Sequence, residues 1–162
     1  MPETFSSPLP ALFATFHDCA AQALEQDNKW LIIDPVYEHM ELLSAQPIDA
    51  LLPHILQLIE TYPTLDYGGP GPFGSLIEEH PMAAYTPALL ASLQRQPSVQ
   101  VMGWLDRCVR AEGMDLPGGP NPVRPAEYAA VLEKLLQHPL ASAECKEFAA
   151  DSLEDARKAI RP

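Results

Sequence analysis

The stretch Gly69-Pro70-Gly71-Pro72-Phe73-Gly74 has the Gly-x-Gly-x-x-Gly spacing with which dinucleotide-binding proteins cradle a pyrophosphate. That chemistry works by aiming backbone N–H groups at phosphate after a strand, and Pro70 and Pro72 remove two of the donors. Glu78 and Glu79 follow closely and oppose an anion, and no Gly-Lys-Ser/Thr completes a Walker loop. The segment therefore reads as a rigid loop that sets the angle between two helices. His17-Asp18-Cys19 holds the three residue types of a nucleophilic triad, but neighbours in a helix point in different directions and cannot relay a proton. No Gly-x-Ser-x-Gly elbow is present.

Metal chemistry finds little support in spacing. The histidines at 17, 39, 54, 80 and 138 form no His-Glu-x-x-His pattern. His80 beside Glu78, Glu79 and a distant Asp66 reads as a solvated helix end, so no metal and no cofactor are expected. Cys19, Cys108 and Cys145 make no Cys-x-x-Cys pair and read as small packing residues in a reducing compartment. Carboxylates abound, yet a pair becomes an acid and a base only where a cleft moves one pKa.

Charge says more. The 162 residues carry 22 acids and 10 bases, a net −12. Residues 1–94 hold 12 acids and Lys29 alone, a net −11, whereas residues 95–162 hold 10 acids and 9 bases, a net −1. Such a field repels nucleic-acid phosphate and anionic lipid, and it speeds encounter with a basic protein. With 47% hydrophobic residues the chain can bury a real core. No apolar run reaches membrane-spanning length, and Met1-Pro2-Glu3-Thr4-Phe5 lacks the features of a secretory signal, so a cytoplasmic chain of one domain over 1–162 is expected.

The elements that position these residues are helices. Ser7-Pro8 predicts a helix start, followed by the stripe Leu12, Phe13, Phe16, Ala20, Ala23 and Leu24. Lys29–Ile33 reads as a buried connector or the start of the next helix, with a short strand as the alternative. Asp34-Pro35 repeats the cap-and-proline signal and predicts a helix through Tyr37, Met40 and Leu43. Ile48–Tyr62 is next, delayed or kinked by Pro53. A structured loop spans Tyr62–Gly74, and helices follow from about Phe73 to His80, after Thr86-Pro87, after Ser98, and through Tyr128, Val131, Leu132 and Leu135. A second glycine-proline loop covers Leu116–Pro125. The last helix, from about Ser142 to Ile160, buries Cys145, Phe148, Ala149, Ala156 and Ile160. The expected class is all-α: seven or eight short helices in a bundle or a HEAT-like stack of antiparallel pairs.

Several of these residues carry a resemblance. Gly69-Pro70-Gly71-Pro72-Phe73, then Leu76-Ile77-Glu78, Tyr85, Leu90, Ser92-Leu93, Arg95, Pro97 and Trp104-Leu105-Asp106-Arg107 resemble the middle of small bacterial immunity proteins from polymorphic-toxin and contact-dependent inhibition systems. The chain departs from that pattern at Asp106, where asparagine is more usual. The resemblance implies a protein that binds and blocks a cognate toxin domain and catalyses nothing.

Within that segment Arg95 and Arg107 sit near helix ends and read as structural, pairing with carboxylates or capping carbonyls of a neighbouring helix. The partner surface is expected from acids of the first half: Asp34, Glu38, Glu41, Glu60, Asp66, Glu78 and Glu79, with Glu38 and Glu41 on one helix face. Trp30 and Tyr67, at element boundaries, are the aromatic candidates, while Trp104 belongs to a core stripe. The expected partner is a basic toxin domain, with a generic intracellular helical adaptor as the alternative and an enzyme with a dispersed site as the third reading.

Overall fold

Local signals and long-range burial together divide the chain into nine α-helices in a computed structural model that describes residues 7–111 and 121–160. They are α1 Leu9–Gln26, α2 Trp30–Glu38, α3 Met40–Ser44, α4 Ile48–Thr61, α5 Gly71–Glu78, α6 Thr86–Arg95, α7 Val99–Ala111, α8 Pro125–Leu135 and α9 Ala143–Ile160. A short 3-10 turn, Met82–Ala84, precedes α6. No strand occurs among the described residues. The fold is an all-α bundle in which α1 packs on α2 and α4, α6 on α7 and α8, and α9 on α8 and α7. Of the Leu116–Pro125 loop expected from sequence, residues 116–120 lie outside the described residues.

The serine signals act as expected. Ser7 Oγ accepts from the Leu9 N–H at 3.2 Å, Ser98 Oγ from Val101 at 3.3 Å and Ser142 Oγ from Cys145 at 3.1 Å. The Asp34-Pro35 signal does not. Asn28 Oδ1 accepts from the Trp30 N–H at 3.1 Å and starts α2 one turn earlier, so Pro35 lies inside the helix. The apolar triplet Ile32, Ile33 and Val36, all buried, outweighs the donor that Pro35 removes. The chain then bends at His39 (φ −111°, ψ 13°), whose Nδ1 lies 2.7 Å from the Pro35 carbonyl oxygen, and α3 follows as a separate helix. This bend also separates Glu38 on α2 from Glu41 on α3, correcting the expectation that they share one helix face. Pro53 is likewise inside α4, which starts on time at Ile48.

A single apolar core runs from Leu9 to Ala156. At its N-terminal end Phe73 of α5 meets three other rings: Phe13 at 6.1 Å, Phe16 at 6.3 Å and Tyr67 at 6.1 Å between centroids. The glycine-proline segment delivers Phe73 there and is tied to α7. Gln100 Nε2 donates to the Gly68 carbonyl at 2.7 Å, and Trp104 Nε1 donates to the Pro70 carbonyl at 3.0 Å. A Cβ at Gly74 would lie 2.7 Å from both Pro70 Cβ and Trp104 Nε1, so the helix-to-loop approach demands glycine. Those two bonds hold the segment against α7, consistent with the rigid, angle-setting loop that its composition predicts. Two residues placed on buried stripes by periodicity, Leu24 and Ile160, are instead exposed near helix ends.

Candidate functional site

The acids expected to form one partner surface divide into two groups. Glu60 and Glu78 belong to the scaffold. Arg95 Nε and an Arg95 terminal nitrogen donate to the two Glu60 oxygens at 2.9 and 3.0 Å, and Ser92 Oγ adds a third bond to Glu60 at 3.1 Å. Arg107 grips Glu78 in the same two-pronged way at 2.6 and 3.0 Å. The Glu60 and Glu78 side chains are only 19% and 13% exposed, too little to meet a partner. Both arginines are thus structural, as expected, and their mates are acids that the sequence had suggested for recognition. The Glu60 hydrogen bonds raise the Arg95 pKa above its ordinary value.

Tyr67 needs a stronger correction. It is 1% exposed, its Oη donates to the Tyr62 carbonyl at 3.1 Å, and its N–H donates to Gln100 Oε1 at 3.0 Å. Burial pushes its phenol well above the ordinary range. A ring that packs on Phe73 and satisfies its hydroxyl internally is core, not a contact residue. Asp66 stays on the surface but is partly used: Oδ1 accepts from the Gly68 N–H at 2.8 Å and Oδ2 pairs with Lys29 at 3.3 Å. Glu79 Oε2 accepts from Ser44 Oγ at 3.3 Å and remains exposed.

Asp34, Glu38 and Glu41 stay exposed and form no ion pair among the described residues, and the same holds for Asp18, Glu25, Asp27 and Asp49. These acids come from α1, α2, α3, the first turn of α4 and the α1–α2 junction. Asp18 of α1 and Glu38 of α2 converge around Cys19. Burial, then Asp18 and Glu38, push that thiol above its ordinary pKa, outweighing an opposing backbone hydrogen bond. Packing α1 on α2 therefore brings one carboxylate from each helix near the same thiol.

Apolar groups stand among them. Trp30 is 54% exposed and Tyr37 53%, with Leu24 and Leu42 also open to solvent. With Ile32, Ile33 and Val36 turned inward, Trp30, Asp34 and Tyr37 follow at i, i+4 and i+7 on the opposite side of α2. Trp30, Leu24, Asp27 and Asp66 line a shallow depression, and Lys29 Nζ lies 5.3 Å from the Trp30 ring centroid. Trp30 was legible as a boundary aromatic. Tyr37 and Leu42 were missed, and a helical wheel anchored on Ile32, Ile33 and Val36 could have found Tyr37.

No group of three His, Cys, Asp or Glu able to hold a metal occurs among the described residues. Cys108 and Cys145 are buried, and burial pushes both thiols up, Cys145 to about 11, away from the reactive thiolate range. No helix among the described residues is long and apolar enough to cross a membrane. A scan against protein-family models, a search of curated proteins and a search of solved structures each found no match to this chain.

Proposed function

We propose that this chain is an inhibitor of the immunity type, which binds a basic toxin domain on the face made by α1, α2 and α3. The observation that carries the reading is the unneutralised charge: Asp34 and Glu38 share α2 with exposed Trp30 and Tyr37, Glu41 follows on α3, and none of the three acids forms an ion pair among the described residues. Like charges held close together cost a few tenths of a kcal/mol per pair, and a partner's lysines and arginines convert that cost into attraction. Aromatic anchors supply affinity once the charges have steered the encounter, since truncating a buried interface tryptophan costs about 2 kcal/mol or more. Toxins that cut or modify nucleic acid need a basic surface for their substrate, and an acidic inhibitor can occupy that surface. The resemblance of residues 69–107 to immunity proteins supports the toxin as partner and adds nothing about the contact face.

Co-expression with the C-terminal domain of a secreted protein encoded beside this chain's gene tests the reading. A complex is expected in dilute salt, weakening strongly when the salt is raised to about 0.5 M. Trp30→Ala is expected to weaken it by about 2 kcal/mol, and neutralising Asp34, Glu38 and Glu41 together to slow association about tenfold or more. No complex with such a domain, or one indifferent to these changes, would refute the proposal.

A further inference from the structure

His138 stands just past the end of α8, and both of its ring nitrogens meet backbone groups. Nε2 lies 3.0 Å from the Gln94 carbonyl oxygen in the last turn of α6, and Nδ1 lies 3.1 Å from the Leu140 backbone nitrogen. Neither partner can change its role, because a carbonyl only accepts and a backbone N–H only donates. Nδ1 is therefore the bare nitrogen and Nε2 carries the proton, so the ring is a neutral bridge of one tautomer. Gln96 closes the same contact, its Nε2 donating to the Leu140 carbonyl at 3.2 Å and to the Pro97 carbonyl at 3.0 Å. The turn between α8 and α9 is thus held to the end of α6 through both backbone groups of Leu140. One of those two holds passes through an imidazole, a group that ordinarily takes up a proton near about pH 6.5.

We propose that His138 is an acid-released latch between α6 and the α8–α9 turn. A second ring proton can go only to Nδ1, where it sets one N–H against that of Leu140. Nε2 keeps donating to Gln94, because a cationic ring suits the negative end of α6. The ring therefore stays on α6 and lets go of the turn. The Leu140 bond is present while the ring is neutral and is lost as pH falls through the range in which imidazole protonates. From α8, Lys134 lines the same small depression, with Leu93 and Gln94 of α6 and Val131 and Leu135 of α8. Arg95 of α6 is held by Glu60, Glu133 of α8 pairs with Arg157, and Glu144 of α9 lines a separate cleft against α7. Gln137, Pro139, Leu140, Ala141 and Ser142 of the turn do not titrate. No carboxylate lines the depression among the described residues, so no anion there offsets the loss at Leu140.

The test is a titration of the 15N-labelled full chain from about pH 8 to about pH 5, reading the His138 ring nitrogens and the backbone amides together. His138→Gln identifies the ring signals by their loss. At the alkaline end the proton is expected on Nε2 alone. On acidification the Leu140 amide is expected to move with the same midpoint as the ring. Its protection from exchange, corrected for the intrinsic rate, is expected to fall about fivefold or more, as the loss of one net hydrogen bond implies. The Ala141 amide donates to the His138 carbonyl at 3.2 Å and not to the ring, and it is expected to keep its protection. In a folded His138→Gln the Leu140 amide is expected to stop following pH. A proton on Nδ1 at the alkaline end, or a Leu140 amide indifferent to protonation of the ring, overturns the proposal. So does a His138→Gln in which the Leu140 amide still titrates. The first two outcomes are read on the parent alone, so they decide the matter even where the variant does not fold.

Discussion

In α7, α8 and α9 several of the charges are tied to one another across and along the helices, although Glu144, Glu147 and Asp151 are exposed with no ion pair among the described residues. Asp106 accepts from Tyr128 Oη at 3.0 Å and pairs with Arg110, which also reaches Asp155, while Glu133 and Glu154 hold Arg157 and Lys158. In α1, α2 and α3 the carboxylates of Asp18, Glu25, Asp34, Glu38 and Glu41 face solvent without a cation. Both regions share one apolar core, so burial does not explain the contrast. The C-terminal charges fix how helices sit, and they reach across to hold Glu60 and Glu78 as well. The five carboxylates of α1, α2 and α3 form no ion pair among the described residues. A surface that tolerates its own repulsion is available to something outside it, which is the physical basis of the proposed inhibitor.

The largest effect tests the core that both regions share. Burial raises the phenol pKa values of Tyr67, Tyr85 and Tyr128. The folded chain therefore keeps these protons above the pH, about 10, at which the unfolded chain loses them. Their contribution is complete below that pH and is lost as pH rises beyond it. Urea midpoints followed by circular dichroism should hold between about pH 7 and 9 and fall steeply above about 10. A flat profile to about pH 11.5 would show that these rings ionise as freely folded as unfolded.

Next in size is the pair of tryptophans. Trp104→Ala opens a cavity and strands the Pro70 carbonyl, and it should cost about 3–5 kcal/mol in urea unfolding. Trp30→Ala, on the exposed face, should stay within about 0.5 kcal/mol of the parent. Comparable losses would erase the distinction between scaffold and face. Acids sharpen it further. Glu78→Gln breaks the grip on Arg107 and should cost about 1–2 kcal/mol, discounted because that guanidinium is half exposed. Asp34→Asn or Glu38→Gln removes only repulsion and should leave stability unchanged or raised by up to about 0.5 kcal/mol. Smallest of all, added salt should raise the melting temperature of the parent slightly and that of the double variant Asp34→Asn, Glu38→Gln less.

Much of the fold was legible because helices announce themselves locally. Serines at 7, 98 and 142, the Thr86-Pro87 start and the stripe Val101, Trp104, Leu105 and Cys108 each place an element within a residue or two. Proline was over-read at 34–35, because a cap signal carries no information about how strongly the preceding Ile32 and Ile33 are buried. The site was legible only in outline. Charge asymmetry pointed to the first half, and helix-end position marked Arg95 and Arg107 as structural. Their partners lie 35 and 29 residues away, at separations that no local spacing encodes, so Glu60 and Glu78 were credited to the surface. Tyr67 looked exposed because it borders a glycine-proline loop, yet Gln100 and Trp104 draw that loop onto α7 and carry the ring inward.

The proposed docking face is tested most directly by mapping contacts on the intact chain. Backbone amide shifts of the labelled protein, titrated with the toxin domain proposed as its partner, should change around Trp30, Asp34, Tyr37, Glu38 and Glu41 and shrink as salt is raised. Shifts centred on α8 and the outer side of α9, or shifts of equal size in dilute and concentrated salt, would contradict it.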